Sequence, residues 1–142
     1  MANYKQFEER FFIGPQPTEQ DLDEAKRQGI QTVIDLRMPS ETAVPNAELV
    51  KRSGLNYVNI PVDKAALSAR QIDELDAAVR QNEGPYLLHC ATGARVAMLL
   101  ALSRAKQHGW TAERTFQEAQ AMGYNLQTSP DVTAFVRRTT TQ

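Results

Sequence analysis

Short apolar runs alternate with amphipathic segments along almost the whole 142-residue chain. The segments 30–36 and 86–89 are rich in aliphatic residues and predict buried strands. Between them, Ile72, Leu75 and Val79 recur at spacings of three and four, which predicts an amphipathic helix. Because parallel strands need long crossovers, this alternation predicts an α/β fold with a mainly parallel central sheet of about four to five strands and helices on both faces.

Turn and capping residues mark where these predicted elements begin and end. Thr18, Ser68, Thr111 and Ser129 are good helix N-caps, and glycines follow several of the helices. The predicted strands are 11–13, 30–36, 55–62 and 86–89, and the predicted helices are 18–28, 46–53, 68–82, 95–108, 111–123 and one starting at 129.

Composition and charge narrow the functional classes. With 142 residues and 42% hydrophobic content, we expect one domain over residues 1–142. The net charge of -1 has no block of like sign, so neither nucleic acid nor a membrane is an expected partner. One cysteine, no apolar secretory core near the N-terminus and no run of roughly 20 apolar residues predict a cytoplasmic protein.

The chain's single cysteine, Cys90, stands where the predicted strand 86–89 gives way to a helix. Unpaired backbone N–H groups and the helix dipole converge at such a point, so they stabilise a bound anion and an ionised cysteine. Gly93 allows the loop to curl, and Arg95 supplies a cationic fork for an oxyanion. The alternative is that Cys90 is only a small buried hydrophobic residue.

Four motifs, taken in order, resemble the cysteine-dependent phosphatase superfamily. They are Phe-Ile-Gly-Pro-Gln-Pro-Thr at 12–18, Thr-Val-Ile-Asp-Leu-Arg at 32–37, Asn-Ile-Pro-Val at 59–62 and His-Cys-Ala-Thr-Gly-Ala-Arg at 89–95. Within that superfamily the chain is most similar to the bacterial beta-lactamase-hydrolase-like phosphatase-like domains. The resemblance implies a dual-specificity-phosphatase-like fold, a phosphocysteine intermediate and an aspartic acid on a neighbouring loop as proton donor.

The same resemblance implies a role for each residue of the last motif. Cys90 matches the nucleophile, Arg95 the oxyanion-binding arginine, and His89 a residue that supports the loop and the thiolate. Asp63 matches the general acid, although an aspartate after a strand is also an ordinary turn residue. The residues whose backbone amides match the anion cradle are Ala91, Thr92, Gly93 and Ala94. The rim of the pocket is expected from the segments 37–46, 61–67 and 123–129.

The loop departs from the common phosphatase pattern in two ways. Only four residues separate Cys90 from Arg95, where the pattern has five, and Val96 replaces the hydroxyl residue that follows the arginine. The spacing Cys-x-x-Gly-x-Arg is instead similar to the loop of rhodanese sulfurtransferases.

Three functions therefore stay open. The leading prediction is a phosphatase-like hydrolase that acts on a phosphomonoester, in a small molecule or a protein, through a thiophosphate on Cys90. The alternatives are a sulfurtransferase with a Cys90 persulfide and an inactive module that binds anions or phosphopeptides. No cofactor is expected, and no metal either, because His89 and His108 lack the paired spacing of a zinc site.

Overall fold

A computed structural model describes residues 4–38, 40 and 46–140 of the chain. The strands are β1 (Lys5–Phe7), β2 (Phe11–Gly14), β3 (Thr32–Asp35), β4 (Asn56–Asn59) and β5 (Tyr86–His89). The helices are α1 (Glu19–Arg27), α2 (Asn46–Arg52), α3 (Ala69–Gln81), α4 (Ala94–His108), α5 (Ala112–Ala121) and α6 (Pro130–Thr139), with a 3₁₀ turn at Leu126–Thr128.

The five strands form one sheet in the order β1-β2-β5-β3-β4. All strands of the sheet except β1 run parallel to one another. Side chains alternate between its two faces, as the pleat of a strand requires. Val33 and Leu87 belong to a core with α1 and α2, whereas Ile34 and Leu88 belong to a larger core with α3, α4, α5 and α6. The predicted parallel sheet with helices on both faces is confirmed.

The predicted caps are confirmed where the structure shows hydrogen bonds to them. Thr18 and Ser68 each form a capping box, in which the side chain accepts from a backbone N–H and the third helical residue bonds back. The hydroxyl of Thr111 accepts from the Arg114 N–H, and Ser129 caps α6 ahead of Pro130.

Two predicted strands are longer than the observed ones, and β1 was not predicted. The strands 30–36 and 55–62 shorten to 32–35 and 56–59, although the flanking Ile60 and Val62 still donate backbone hydrogen bonds to Asp35 and Leu36. β1 pairs antiparallel with β2 and is mostly exposed, so it carries no apolar periodicity. The turn between β1 and β2 has no glycine that would mark it in the sequence. Glu8 and Glu9 adopt its positive φ values instead.

Helix α4 lies at the centre of the larger core. It is buried almost all round, from Arg95 to Leu102, and packs against the sheet as well as against α3, α5 and α6. This is the buried central helix that its nearly continuous apolar sequence predicts. Across the described ranges, no helix is both long and apolar enough to span a bilayer.

Candidate active site

The candidate site lies at the carboxyl ends of the parallel strands. His89, the last residue of β5, is in register with Gly14 at the end of β2 and with Asp35 at the end of β3. Asp35 is in turn in register with Asn59 at the end of β4, and Cys90 follows His89 directly. The Cys90 N–H donates to the Gly14 carbonyl across 3.4 Å, which fixes the start of the loop against β2. Ligands of parallel α/β sheets bind at this edge, so the position of Cys90 fits the sequence prediction.

The Cys90 sulfur is fully buried and accepts a hydrogen bond from the loop. The backbone N–H of Gly93 lies 3.0 Å from Sγ. Gly93 has a φ of 99° and is the N-cap of α4, a residue that has no side chain with which to cap the helix. The positive end of a 15-residue helix therefore faces the sulfur.

Arg95 connects the loop to the segment that follows β4. It sits in the first turn of α4 and is only 8% exposed, and its Nη1 donates to the Val62 carbonyl at 3.0 Å. A buried guanidinium held by a backbone carbonyl has one preferred direction, which keeps its charge beside the helix N-terminus. Because Asp63 follows Val62, this contact also brings the predicted arginine and the predicted acid into one neighbourhood.

Asp63 occupies an exposed turn. Its Oδ1 accepts from the Ala65 N–H at 2.9 Å, and its carbonyl accepts from the Ala66 N–H at 2.9 Å. These are the contacts of an ordinary Asx turn, the alternative that the sequence left open. The general-acid role of Asp63 stays a prediction.

Beneath the loop, His89 belongs to a buried polar cluster with Asp35 and Arg37. Its Nδ1 lies 3.8 Å from Oδ1 of Asp35. The Asp35 carboxylate accepts hydrogen bonds from Arg37 at Oδ1 and from the Tyr57 hydroxyl at Oδ2. Burial lowers the pKa of His89 to about 4, so the ring is neutral at pH 7.

The Asp35 carboxyl is ionised in the same cluster. Burial alone would raise its pKa, but the charges and hydrogen bonds of His89, Arg37 and Tyr57 outweigh that effect and lower it. The aspartate therefore serves as a structural anchor at the end of β3.

The cradle residues differ in exposure. Ala91 and Thr92 are exposed, Ala94 is partly buried and Gly93 is buried. The Ala94 N–H contacts the Thr92 hydroxyl at 3.3 Å. The structure thus gathers the loop 90–95 at one helix end, whereas the His89 side chain points into the cluster below.

A small cavity adjoins the loop beside Arg95. Among the side chains that line it are Lys64, Met98, Asn125, Leu126 and Ser129. Two of the three predicted rim segments, 61–67 and 123–129, contribute to its wall. Residues 39 and 41–45 of the third rim segment lie outside the described part of the chain. Within the described part, no group of three or more metal-ligating side chains comes together.

Tyr124 is a site residue that sequence reasoning did not identify. Its hydroxyl donates to the Thr92 carbonyl at 2.8 Å, and the ring lies against Gly93. Burial and the nearby Cys90 charge raise the pKa of its phenol. The only sequence signal was its place after Gly123 in a predicted rim segment, which does not specify where the ring lies.

Comparison with known proteins finds a matching family model and a curated relative. The family model described as "Beta-lactamase hydrolase-like protein, phosphatase-like domain" matches residues 3–107. A beta-lactamase hydrolase-like protein of Xylella fastidiosa (strain Temecula1) is 30% identical over 125 residues, which cover 83% of this chain and 28% of that protein. The chain thus spans little more than a quarter of this curated relative.

Solved structures share the fold over nearly the whole chain. A Neisseria meningitidis protein with a provisional phosphatase assignment is 26% identical and has a TM-score of 0.79, with 98% of this chain and 99% of that one covered. P. aeruginosa TpbA, as a cysteine-to-serine variant in complex with phosphotyrosine, is 19% identical with a TM-score of 0.74, and 95% of this chain and 83% of that one are covered.

Proposed function

Since this chain belongs to the family of beta-lactamase hydrolase-like phosphatase-like domains, we propose that it hydrolyses phosphomonoesters with Cys90 as the nucleophile. The observation that carries the proposal is the 3.0 Å contact from the Gly93 N–H to the Cys90 sulfur at the N-terminus of α4. Ionised cysteine is the reactive form, and this contact favours it. Arg95 is the group proposed to bind the oxygens of the phosphoryl group.

The proposed reaction has two steps. In the first, the Cys90 thiolate attacks phosphorus, an S–P bond forms and the P–O bond to the leaving group breaks. Asp63 is proposed to protonate the leaving oxygen, which matters most when that oxygen belongs to an alcohol. In the second, water attacks the thiophosphate and gives a proton to the Asp63 carboxylate, the S–P bond breaks, and phosphate and the Cys90 thiolate are released.

Turnover of p-nitrophenyl phosphate and of a phosphotyrosine peptide tests the proposal. Phosphotyrosine is a rational first substrate because TpbA, a structural neighbour, was solved in complex with it. We expect wild-type activity that vanadate inhibits competitively, since vanadate resembles the five-coordinate transition state. The Cys90→Ser variant should lose this activity and keep its melting temperature. Retained turnover in the variant would refute the mechanism.

The single cysteine makes the intermediate itself measurable. Rapid acid quenching during turnover followed by intact-mass analysis should find one added phosphoryl group, and peptide mapping should place it on Cys90. The Cys90→Ser variant should carry none. Substrate binding without turnover or phosphorylation would instead indicate the third function, an anion- or phosphopeptide-binding module.

The four-residue spacing between Cys90 and Arg95 favours a second candidate, sulfur transfer. In that reaction the thiolate attacks the outer sulfur of thiosulfate, sulfite leaves, and Cys90 becomes a persulfide. Cyanide then takes the outer sulfur as thiocyanate and restores the thiolate. Release of thiocyanate with a one-sulfur mass gain on Cys90, in the absence of phosphate release, would select this function over the phosphatase.

A further inference from the structure

Two hydrogen bonds hold the peptide unit between Thr92 and Gly93 from opposite sides. Its carbonyl, on Thr92, accepts from the Tyr124 hydroxyl at 2.8 Å. Its N–H, on Gly93, donates to the Cys90 sulfur at 3.0 Å. In a planar trans peptide the C=O and N–H point in opposite directions. The bond to Tyr124 on one side therefore sets where the N–H points on the other.

The peptide unit between Thr92 and Gly93 can rotate easily because glycine restricts its backbone little, so a contact from outside the loop is needed to fix its orientation. Gly93 has a φ of 99°, and glycine populates positive and negative φ about equally. A rotation of the peptide would point the carbonyl at the sulfur and the N–H away from it. With the carbonyl oxygen inside the loop, a thiolate and an oxyanion would both face partial negative charge.

Tyr124 is well placed to prevent that rotation. Its own N–H donates to the Ala119 carbonyl at 3.0 Å, which ties the backbone to the end of α5. A Cβ atom built on Gly93 would lie 2.1 Å from the tyrosine oxygen, so the ring leaves no room between itself and the loop. Burial and the Cys90 charge raise the pKa of the phenol, so it remains a protonated donor at neutral pH.

We infer that Tyr124 is a positioning residue whose hydroxyl locks the Thr92–Gly93 peptide with its N–H toward the Cys90 sulfur, and so keeps that cysteine ionised and the loop ready for an anion. This inference rests on the proposed function only in taking Cys90 as the reactive group. It applies equally to phosphoryl and to sulfur transfer, because both need the thiolate.

Alkylation of Cys90 by iodoacetamide, followed against pH, tests the inference in the Tyr124→Phe variant. This change removes the hydroxyl and keeps the ring over the loop. Since the released peptide no longer holds the Gly93 N–H toward the thiolate, we expect half-maximal alkylation to move up by about one pH unit, with roughly tenfold slower reaction well below the midpoint. The limiting rate at high pH should stay the same, because the intrinsic thiolate remains.

Tyr86→Phe is the matched control. The Tyr86 hydroxyl also donates to backbone carbonyls, those of Val79 and Asn82, but at the opposite end of the sheet from Cys90. Its pH profile should coincide with that of the wild type. A profile for Tyr124→Phe that also coincides with the wild type would overturn the inference, whether or not the protein is a phosphatase.

The amide resonance of Gly93 supplies a second readout that needs no alkylation. In the wild type its proton shift should follow the ionisation of Cys90, and in Tyr124→Phe that pH dependence should be much weaker. Equal titration of the Gly93 resonance in both proteins contradicts the lock. Conversely, a shifted profile in a protein without phosphatase turnover would support the lock and refute the proposed function.

Discussion

At the scale of single residues, the site depends on where backbone groups point. Cys90 takes its hydrogen bond from a backbone amide, and Arg95 is held by the backbone carbonyl of Val62. Backbone contacts of this kind tolerate changes of neighbouring side chains but not changes of backbone conformation. Substitutions that strain the loop should therefore be more harmful than substitutions of its exposed side chains.

Gly93→Ala should damage both the fold and the reaction. A non-glycine residue in the left-handed region costs about 1–2 kcal/mol, and the new methyl group would also meet the Tyr124 oxygen at 2.1 Å and the Gly14 Cα at 3.3 Å. Urea unfolding should show a loss of stability larger than the conformational cost alone, and loss of turnover should accompany it.

Gly109→Ala is the control at the other end of the same helix. Gly109 also has a positive φ, of 67°, but a Cβ there would meet nothing within 4 Å. This variant should lose only about 1–2 kcal/mol and keep its activity. Equal losses in the two variants would show that the contact with Tyr124 carries no cost.

Asp63→Asn tests the proposed general acid. A proton donor contributes most when the leaving group is a poor one, so hydrolysis of an alkyl phosphate should slow on the order of a hundredfold. Hydrolysis of p-nitrophenyl phosphate should slow far less, because its phenolate leaves without a proton. Steady-state rates on the two substrates give the comparison.

Asp23→Asn, an exposed change on α1, should alter neither rate and serves as the charge-matched control. Equal slowing of both substrates by Asp63→Asn would remove this residue from proton transfer. The role of Asp63 would then be structural, in the turn where it accepts hydrogen bonds from the N–H groups of Ala65 and Ala66.

At the scale of elements, one strand, one loop and one helix build the site. β5 ends at His89, the loop reverses direction within residues 90–93, and α4 begins at Ala94. Because only four residues separate Cys90 from Arg95, we expect the loop to enclose a smaller volume than the five-residue loop of the common phosphatase pattern. Loop length is therefore the element-level property that we expect to distinguish phosphoryl from sulfur chemistry.

Insertion of one glycine before Arg95, combined with Val96→Ser, should move the loop toward the common phosphatase pattern. We expect higher turnover of p-nitrophenyl phosphate and lower release of thiocyanate from thiosulfate and cyanide. The larger loop would admit three phosphoryl oxygens, and a hydroxyl after the arginine would ease departure of the cysteine thiolate. Both activities are measured on the same preparation.

Val96→Ser alone is the control for the insertion, since Val96 is fully buried and its replacement costs packing whatever the loop length. The melting temperature of each variant shows whether it is folded. A folded insertion variant with both activities unchanged would mean that loop length does not select the chemistry.

At the scale of the whole molecule, the buried cluster under the site links stability to pH. The pKa of His89 is about 4 in the folded chain and about 6.5 when unfolded, so the folded state binds fewer protons between these values. The contribution of neutral, buried His89 to the free energy of unfolding is therefore complete above about pH 6.5 and is lost as the pH falls toward 4. Urea unfolding should find the protein about 2 kcal/mol less stable at pH 5 than at pH 7 from this group alone.

The chain contains two histidines, which provides the control. His89→Gln should remove most of that pH dependence, whatever it does to stability at pH 7. His108→Gln, at an exposed position, should leave the dependence as it is. An unchanged difference between pH 5 and pH 7 in His89→Gln would show that acid destabilisation arises elsewhere.

The sequence alone was enough to predict the parallel core, the helix caps and the strand-loop-helix around Cys90. Apolar runs, caps such as Thr18 and Ser68, and Gly93 act through local physical effects, so each is readable from a few neighbouring residues. β1 escaped prediction because it is short, largely exposed and joined by a turn of glutamates.

Only the tertiary structure determined the contacts between residues that lie far apart in the chain. Arg95 meets the carbonyl of Val62, 33 residues away, and Tyr124 meets that of Thr92, 32 residues away. Such contacts depend on how α4 and the end of α5 pack, and no local pattern encodes the direction of a side chain across that packing. The place of Cys90 at the start of the loop was therefore predictable, whereas the contact of Tyr124 with that loop was not.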